Sequence, residues 1–294
     1  MAIAGSIAGS IAASIVGVNT DPQQPNAGGG GGGGYTPWDL TTLTSANDSN
    51  VDTTGTQNVA AGVWWKPDGS KIFFVGREPK SLQSYAVPTA WDLSSIVAAA
   101  ETSGLVLVDF TPYGLWMSSD GTSVCWCGWS TDTIKQGVLS TPWDVTTLGS
   151  ITSYDMTADG VTAPIEVRFN SDGTKMYVQE LPANYKISQF DLGTAYDVTT
   201  AVFVDEYDYA TDTSSDYSNG FWINGNEIYL NGQGSKIWKF TWDGSDITTM
   251  SYDSNQAYAN TDAGEGGLWM DDERICYFTT IADKFWVHLW GPHA

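Results

Sequence analysis

Apolar residues in this chain fall into short runs separated by turn residues, and the same order of runs returns five times. The segments AGVWWKPDGSKIFFV from residue 61, YGLWMSSDGTSVCWC from 113, IEVRFNSDGTKMYVQ from 165, NGFWINGNEIYLN from 219 and GGLWMDDERICYFT from 266 each read as a strand, a turn and a second strand. The turns at Asp68, Asp120 and Asp172 lie 52 residues apart and carry Asp-Gly, in which glycine accepts positive φ and the aspartate bonds its own turn. In the last two units the turn becomes Asn224-Gly225-Asn226 and Asp271-Asp272-Glu273. A third strand follows in every unit: SLQSYAV from 81, TIKQGVL from 133, KISQFDL from 186, KIWKFTW from 236 and KFWVHLW from 284.

After the third strand comes an aromatic-Asp motif, at Trp38-Asp39, Trp91-Asp92, Trp143-Asp144 and Tyr196-Asp197, degraded to Ser245-Asp246 in the last copy. Aspartate followed by Thr or Ser two and three positions later predicts a capped turn that leads into a fourth strand, such as AVFVDEY from 201. Four strands in about 50 residues, with aromatic and glycine signals once per unit, predict an all-β β-propeller. The first aromatic-Asp turn precedes the first hairpin, and the chain ends just after the fifth third-type strand. A strand near residues 40 to 48 is therefore expected to join the last blade and close a five-bladed ring spanning residues 35 to 294.

The first strands are apolar on both faces and place Trp64, Trp116, Arg168, Trp222 and Trp269 at one equivalent position, which predicts packing between blades. Arg168 is the exception. It is expected to stack on its Trp neighbours and pair with Glu166, as a structural ion pair or, less favoured, as an anion-binding site.

NSDGTKMYV, KPDGSKIFFV and SSDGTSVCWC resemble the repeat units of lactonase-like propellers. Together with TPWDVTT and TAWDLSS they are similar to the propeller repeats of structural proteins from tailed marine bacteriophages and of some bacterial surface proteins. The resemblance covers residues 36 to 290 and implies a propeller fold and a place on a virion.

Two segments precede the repeats. Residues 1 to 20, MAIAGSIAGSIAASIVGVNT, contain no ionisable side chain and repeat every four residues, with Ile3, Ile7, Ile11 and Ile15 in one register and Gly5 and Gly9 in another. As a helix this gives an Ile stripe beside a groove of small residues; as a strand it gives alternating Ile and small residues. Such glycine-rich apolar sequence is unstable alone in water, which predicts docking into other virion proteins or copies of itself, with a frayed, disordered terminus and membrane insertion as the alternatives. A secretory signal is disfavoured because no Lys or Arg precedes Lys66. Residues 21 to 34, DPQQPNAGGGGGGG, read as a flexible tether.

Charge narrows the partners. With 34 Asp and Glu against 12 Lys and Arg, the net charge of -22 opposes binding to nucleic acid. Cys125, Cys127 and Cys276 are too few and odd in number for a disulfide framework, and VCWCGW places its two thiols on one buried face. The only histidines, His288 and His293, assemble neither a Ser-His-Asp triad nor a histidine-rich metal centre. No short acidic motif recurs at blade starts to suggest a glycosidase carboxylate pair.

The loop VDEYDYATDTSSDYSNG offers Asp205, Asp208 and Asp212 as a weak calcium site without EF-hand spacing, and no other cofactor is indicated. The sequence therefore predicts a non-enzymatic virion protein, displayed by its first 20 residues for host-surface glycan attachment or for decoration. The alternative is a secreted or surface carbohydrate-active propeller, lectin or glycosidase.

Overall fold

A computed structural model describes residues 43–52, 58–78, 80–96, 100–104, 111–180, 184–214, 218–232, 236–257, 266–272, 274–279 and 284–290. The apolar segment 1 to 20, with Ile3, Ile7, Ile11, Ile15, Gly5 and Gly9, and the tether to residue 34 lie outside the described residues.

All-β architecture is confirmed. β1 (Leu43–Asp52) comes first, followed by β2 (Asn58–Trp65), β3 (Lys71–Glu78), β4 (Lys80–Ala86) and β5 (Glu101–Thr102), which form the first sheet. The second sheet holds β6 (Pro112–Met117), β7 (Ser123–Gly128), β8 (Thr133–Leu139) and β9 (Leu148–Asp155). The third holds β10 (Pro164–Phe169), β11 (Lys175–Glu180), β12 (Lys186–Leu192) and β13 (Ala201–Asp208). The fourth holds β14 (Ser218–Asn224), β15 (Glu227–Gly232), β16 (Lys236–Thr241) and β17 (Ser251–Ala257). In the fifth, β18 (Gly266–Met270), β19 (Arg274–Thr279) and β20 (Lys284–Trp290) are joined at the edge by β1, which pairs antiparallel with β20 from Leu43 opposite Trp290 to Asp52 opposite Lys284.

The first strand of each sheet touches its counterpart in the next: β2 meets β6, β6 meets β10, β10 meets β14, β14 meets β18, and β18 returns to β2. These contacts define the propeller's centre. Backbone approaches backbone there, and a Cβ on Gly62 would lie 2.5 Å from the carbonyl carbon of Gly114, while one on Gly267 would lie 2.8 Å from the amide of Val63. Gly62, Gly114, Gly220 and Gly267 occupy this crossing point in four strands, and Glu166 occupies it in the other. At those four positions glycine leaves room for backbones this close.

At the opposite rim the Asp-Gly turn and the aromatic-Asp loop of one unit form a single device. Gly69, Gly121 and Gly173 sit at φ near 70°, and the rings of Trp91, Trp143 and Tyr196 lie flat over them, within 2.5 Å of where a Cβ would be. Each aromatic residue is itself left-handed, with φ of 68°, 62° and 60°, and its amide donates to the carbonyl of the turn glycine. The next residue, Asp92, Asp144 or Asp197, accepts from the backbone N–H two positions on and starts a three-residue 3-10 turn with one buried apolar side chain. Asp246 does the same in the fourth unit, where Trp242 instead donates its indole N–H to Gly225 O.

Between sheets the core is close-packed from Val63, Phe74, Val124, Trp126, Val167, Val178, Leu230 and their neighbours, all excluded from solvent. Cys125, Cys127 and Cys276 are free and buried, as their placement in apolar strands implies.

Candidate functional site

Two places break the repeat, and both fall where the third unit meets its surroundings. One is at the centre. Arg168 stands where the other inner strands carry Trp64, Trp116, Trp222 and Trp269, and all five side chains are buried. The tryptophans do more than pack neighbouring sheets together, the role expected of them. Trp64 and Trp222 belong to non-adjacent sheets yet approach to 5.6 Å between ring centroids, so these side chains converge across the axis.

Arg168 crosses the same space. Its Nη1 donates to Glu166 Oε1 at 2.7 Å, to Leu115 O at 2.9 Å and to Val167 O at 2.8 Å, and its Nη2 reaches Leu268 O on the fifth sheet at 2.6 Å. The guanidinium carbon lies 5.4 Å from the Trp64 ring centroid and 5.1 Å from that of Trp222. Glu166 Oε1 also accepts from the amides of Leu115 and Val167, whereas Glu166 Oε2 and Arg168 Nε find no hydrogen-bond partner among the described residues. Burial pushes the Glu166 carboxyl up to about 7 against the pull of Arg168 and the two amides. The expected pair is thus formed and buried, with Glu166 at 0% and Arg168 at 2% exposure.

The second break is open. Between the second and third sheets lies a cleft of about 510 Å³, floored by Trp116 and the half-buried ring of Tyr196, which stack at 5.5 Å. Its walls carry Ser118, Asp120, Thr122 and Ser123 from the second sheet's turn, Gln136 and Val138 from β8, Ser150 and Thr152 from β9, and Asp197 from the third unit's loop. Gln136 fixes the two sheets together, since its Nε2 donates to Tyr196 O at 2.7 Å and to Ser123 Oγ at 3.0 Å, while its Oε1 accepts from Val198 N at 3.3 Å. Partial burial alone would raise the Asp120 carboxyl, but hydrogen bonds from Ser118 and Thr122 hold it below the usual carboxylate range, so it stays an anionic acceptor.

A cleft of this volume with aromatic floor, hydroxyl walls and a primary amide offers hydrogen bonds and a stacking face to a small polar ligand. None of its residues was singled out from the sequence as a binding residue. The available signal was at Ser123, because the second strand starts with Lys71, Lys175, Glu227 or Arg274 in every other unit.

The acidic loop shows less convergence. Asp205 accepts from the amide of Glu206, Asp208 from that of Ala210, and Asp212 from the Tyr207 hydroxyl. Among the described residues no group of three or more His, Cys, Asp or Glu side chains is placed to hold a metal ion, and no helix is long and apolar enough to cross a membrane.

No protein-family model matches the sequence, and no curated protein matches it either. Solved structures do resemble it. A putative 6-phosphogluconolactonase from Bacteroides uniformis aligns at 13% identity and a TM-score of 0.46, over 75% of this chain and 63% of that one, so the chain spans less than two thirds of that protein's length. A luciferin-regenerating enzyme aligns at 8% identity and 0.49, over 84% and 98%, and a chain of a nidogen/laminin complex at 10% and 0.49, over 76% and 72%. At such identities the likeness is one of fold alone.

It nevertheless corrects the expectation that the chain is not an enzyme. The lactonase and the luciferin-regenerating protein are named as enzymes. Carboxylates of Asp120 and Asp197 line the cleft.

Proposed function

We propose that this chain is a glycan-recognising propeller presented on a virion. In this reading β1 completes the last of five blades, residues 1 to 20 dock into the particle and residues 21 to 34 form the leash. The virion setting is supported by the order of anchor, leash and repeats in the sequence and by the repeats' resemblance to phage structural proteins. The observation that carries the glycan reading is the cleft between the second and third sheets. It combines the Tyr196 ring with the Gln136 amide, the Asp120 and Asp197 carboxylates and six hydroxyl side chains, the donors and acceptors that sugar hydroxyls require beside a face that sugar C–H groups can cover.

The test is a glycan array run with the native chain and with Val138→Trp. Val138 lines the cleft and is 50% exposed, so a larger side chain there blocks the mouth without entering the core. The expected outcome is selective binding by the native chain and at least a tenfold loss in the variant at unchanged melting temperature. Binding that survives Val138→Trp, or none at all, would overturn the assignment. Reducing-end release in the same wells reports whether bound sugar is also cleaved.

A further inference from the structure

We propose that the cleft takes a sugar carrying a protonated amine, whose ammonium occupies the place over the loop aromatic that a built-in cation fills where the fifth sheet meets the first; this rests on the glycan reading of the same cleft. Where the fifth sheet meets the first, Arg274 at the head of β19 places its guanidinium carbon 4.4 Å over the ring of Trp91, the loop aromatic of the first unit, and pairs with Asp271 at 3.0 Å. Where the first sheet meets the second, Lys71 at the head of β3 reaches the carbonyl of Trp143, the next loop aromatic, at 3.1 Å, and Glu101 at 2.7 Å. Each junction thus joins a cation from one sheet to an aromatic residue of the next and to a carboxylate.

Between the second and third sheets Gln136 Nε2 takes the carbonyl of Tyr196 at 2.7 Å, as Lys71 takes that of Trp143, while the position over the ring that Arg274 fills at Trp91 has no Lys or Arg in the cleft lining. Ser123 heads β7 in the place of Lys71 and Arg274, and the loop aromatic is Tyr196. A second truncation coincides with it. Two residues along, Cys125 stands where Phe73 packs on Trp143 at 5.7 Å and where Tyr177 packs on Trp242 at 5.3 Å. The cleft's lining contains Asp120 and Asp197 but neither Lys nor Arg. An ammonium over the Tyr196 face gains cation–π attraction, strengthened where water is partly displaced, and the two carboxylates neutralise it.

The hydroxyls of Ser118, Ser123, Ser150 and Thr152 and the Gln136 amide favour a sugar over a protein side chain as the bearer of that charge. Ser118, Ser123 and Gln136 already bond within the wall, and their remaining lone pairs, with the Ser150 and Thr152 hydroxyls, match the many donors of a sugar better than the single charged end of a lysine or arginine.

The test is calorimetric titration of the full chain with glucosamine oligomers, with their N-acetylated counterparts and with uncharged glucose oligomers of the same length. Free-amine oligomers are expected to bind at least tenfold more tightly than acetylated ones. Ser123→Lys, which copies the first sheet, should erase that preference, as should Val138→Arg at the exposed mouth if the lysine variant does not fold. Equal affinity for free and acetylated amines would remove the ammonium assignment while leaving the glycan reading intact. Preference that persists in a folded variant would place the amine elsewhere on this acidic surface and also remove it. Tighter binding of an arginine-rich peptide than of any sugar would overturn the sugar as bearer of the charge, and failure of every sugar to bind would overturn both readings.

Discussion

The third inner strand and the other four solve one packing problem with opposite chemistry. In β2, β6, β14 and β18 a glycine lets backbones touch and a tryptophan two residues on fills the axis; in β10 the same two positions carry Glu166 and Arg168. The charged version reproduces the function of the apolar one. Glu166 Oε1 takes up amides at the crossing with β6, and the Arg168 guanidinium lies among tryptophan rings and ties the axis to carbonyls of the second and fifth sheets. The comparison teaches that position, more than residue class, is what the ring demands. A buried pair meets that demand only while both partners are present.

Removing one partner is the strongest way to break the comparison. Arg168→Met should cost about 3–5 kcal/mol, because it leaves the Glu166 carboxylate buried without its counter-charge, and chemical denaturation would measure it. A cost below 1 kcal/mol would mean that water or a rearranged neighbour replaces the guanidinium. A smaller effect is expected from pH. The native state holds the Glu166 proton more tightly than the unfolded chain does, so its contribution to stability is full below the ordinary carboxylate range and is lost as pH rises to about 7. Native stability should therefore fall by roughly 1–3 kcal/mol from pH 4.5 to 8 relative to a variant lacking the pair. A pH-independent difference would show that Arg168 keeps Glu166 ionised throughout.

The smallest expected change comes from restoring the repeat. Glu166→Gly with Arg168→Trp should bring stability to within about 1 kcal/mol of native or above it, since apolar replacement of a buried pair is often neutral or better. A double variant as unstable as the singles would sink the equivalence of the five strands.

The strands themselves were legible in the sequence because hairpin chemistry is local: Asp120 and Gly121 announce their turn whatever surrounds them, and Asp144 announces its cap. The device joining them was less so, since the ring of Trp143 over Gly121 depends on a contact between positions 22 residues apart. Periodicity marked Trp64 and Trp222 as buried but is silent about distance between non-adjacent sheets, which is why packing between neighbours was expected instead of convergence on the axis. The cleft was hardest to foresee. It is lined by a side chain shorter than its counterparts, Ser123, and a missing atom leaves no pattern unless each unit is compared with the next. The pairing of Arg168 with Glu166, two residues apart on one strand, was by contrast readable directly from alternation.

The pairing of β1 with β20 also sets an order of events. Leu43 and Trp290 stand opposite one another at positions 247 residues apart (290 − 43), so this sheet gains its outer strand only after β20 has been made. The four other sheets are built from consecutive strands and can form as synthesis proceeds, whereas this contact closes a loop of very high sequence separation and belongs among the slow steps. Until it forms, β20 presents an unpaired edge.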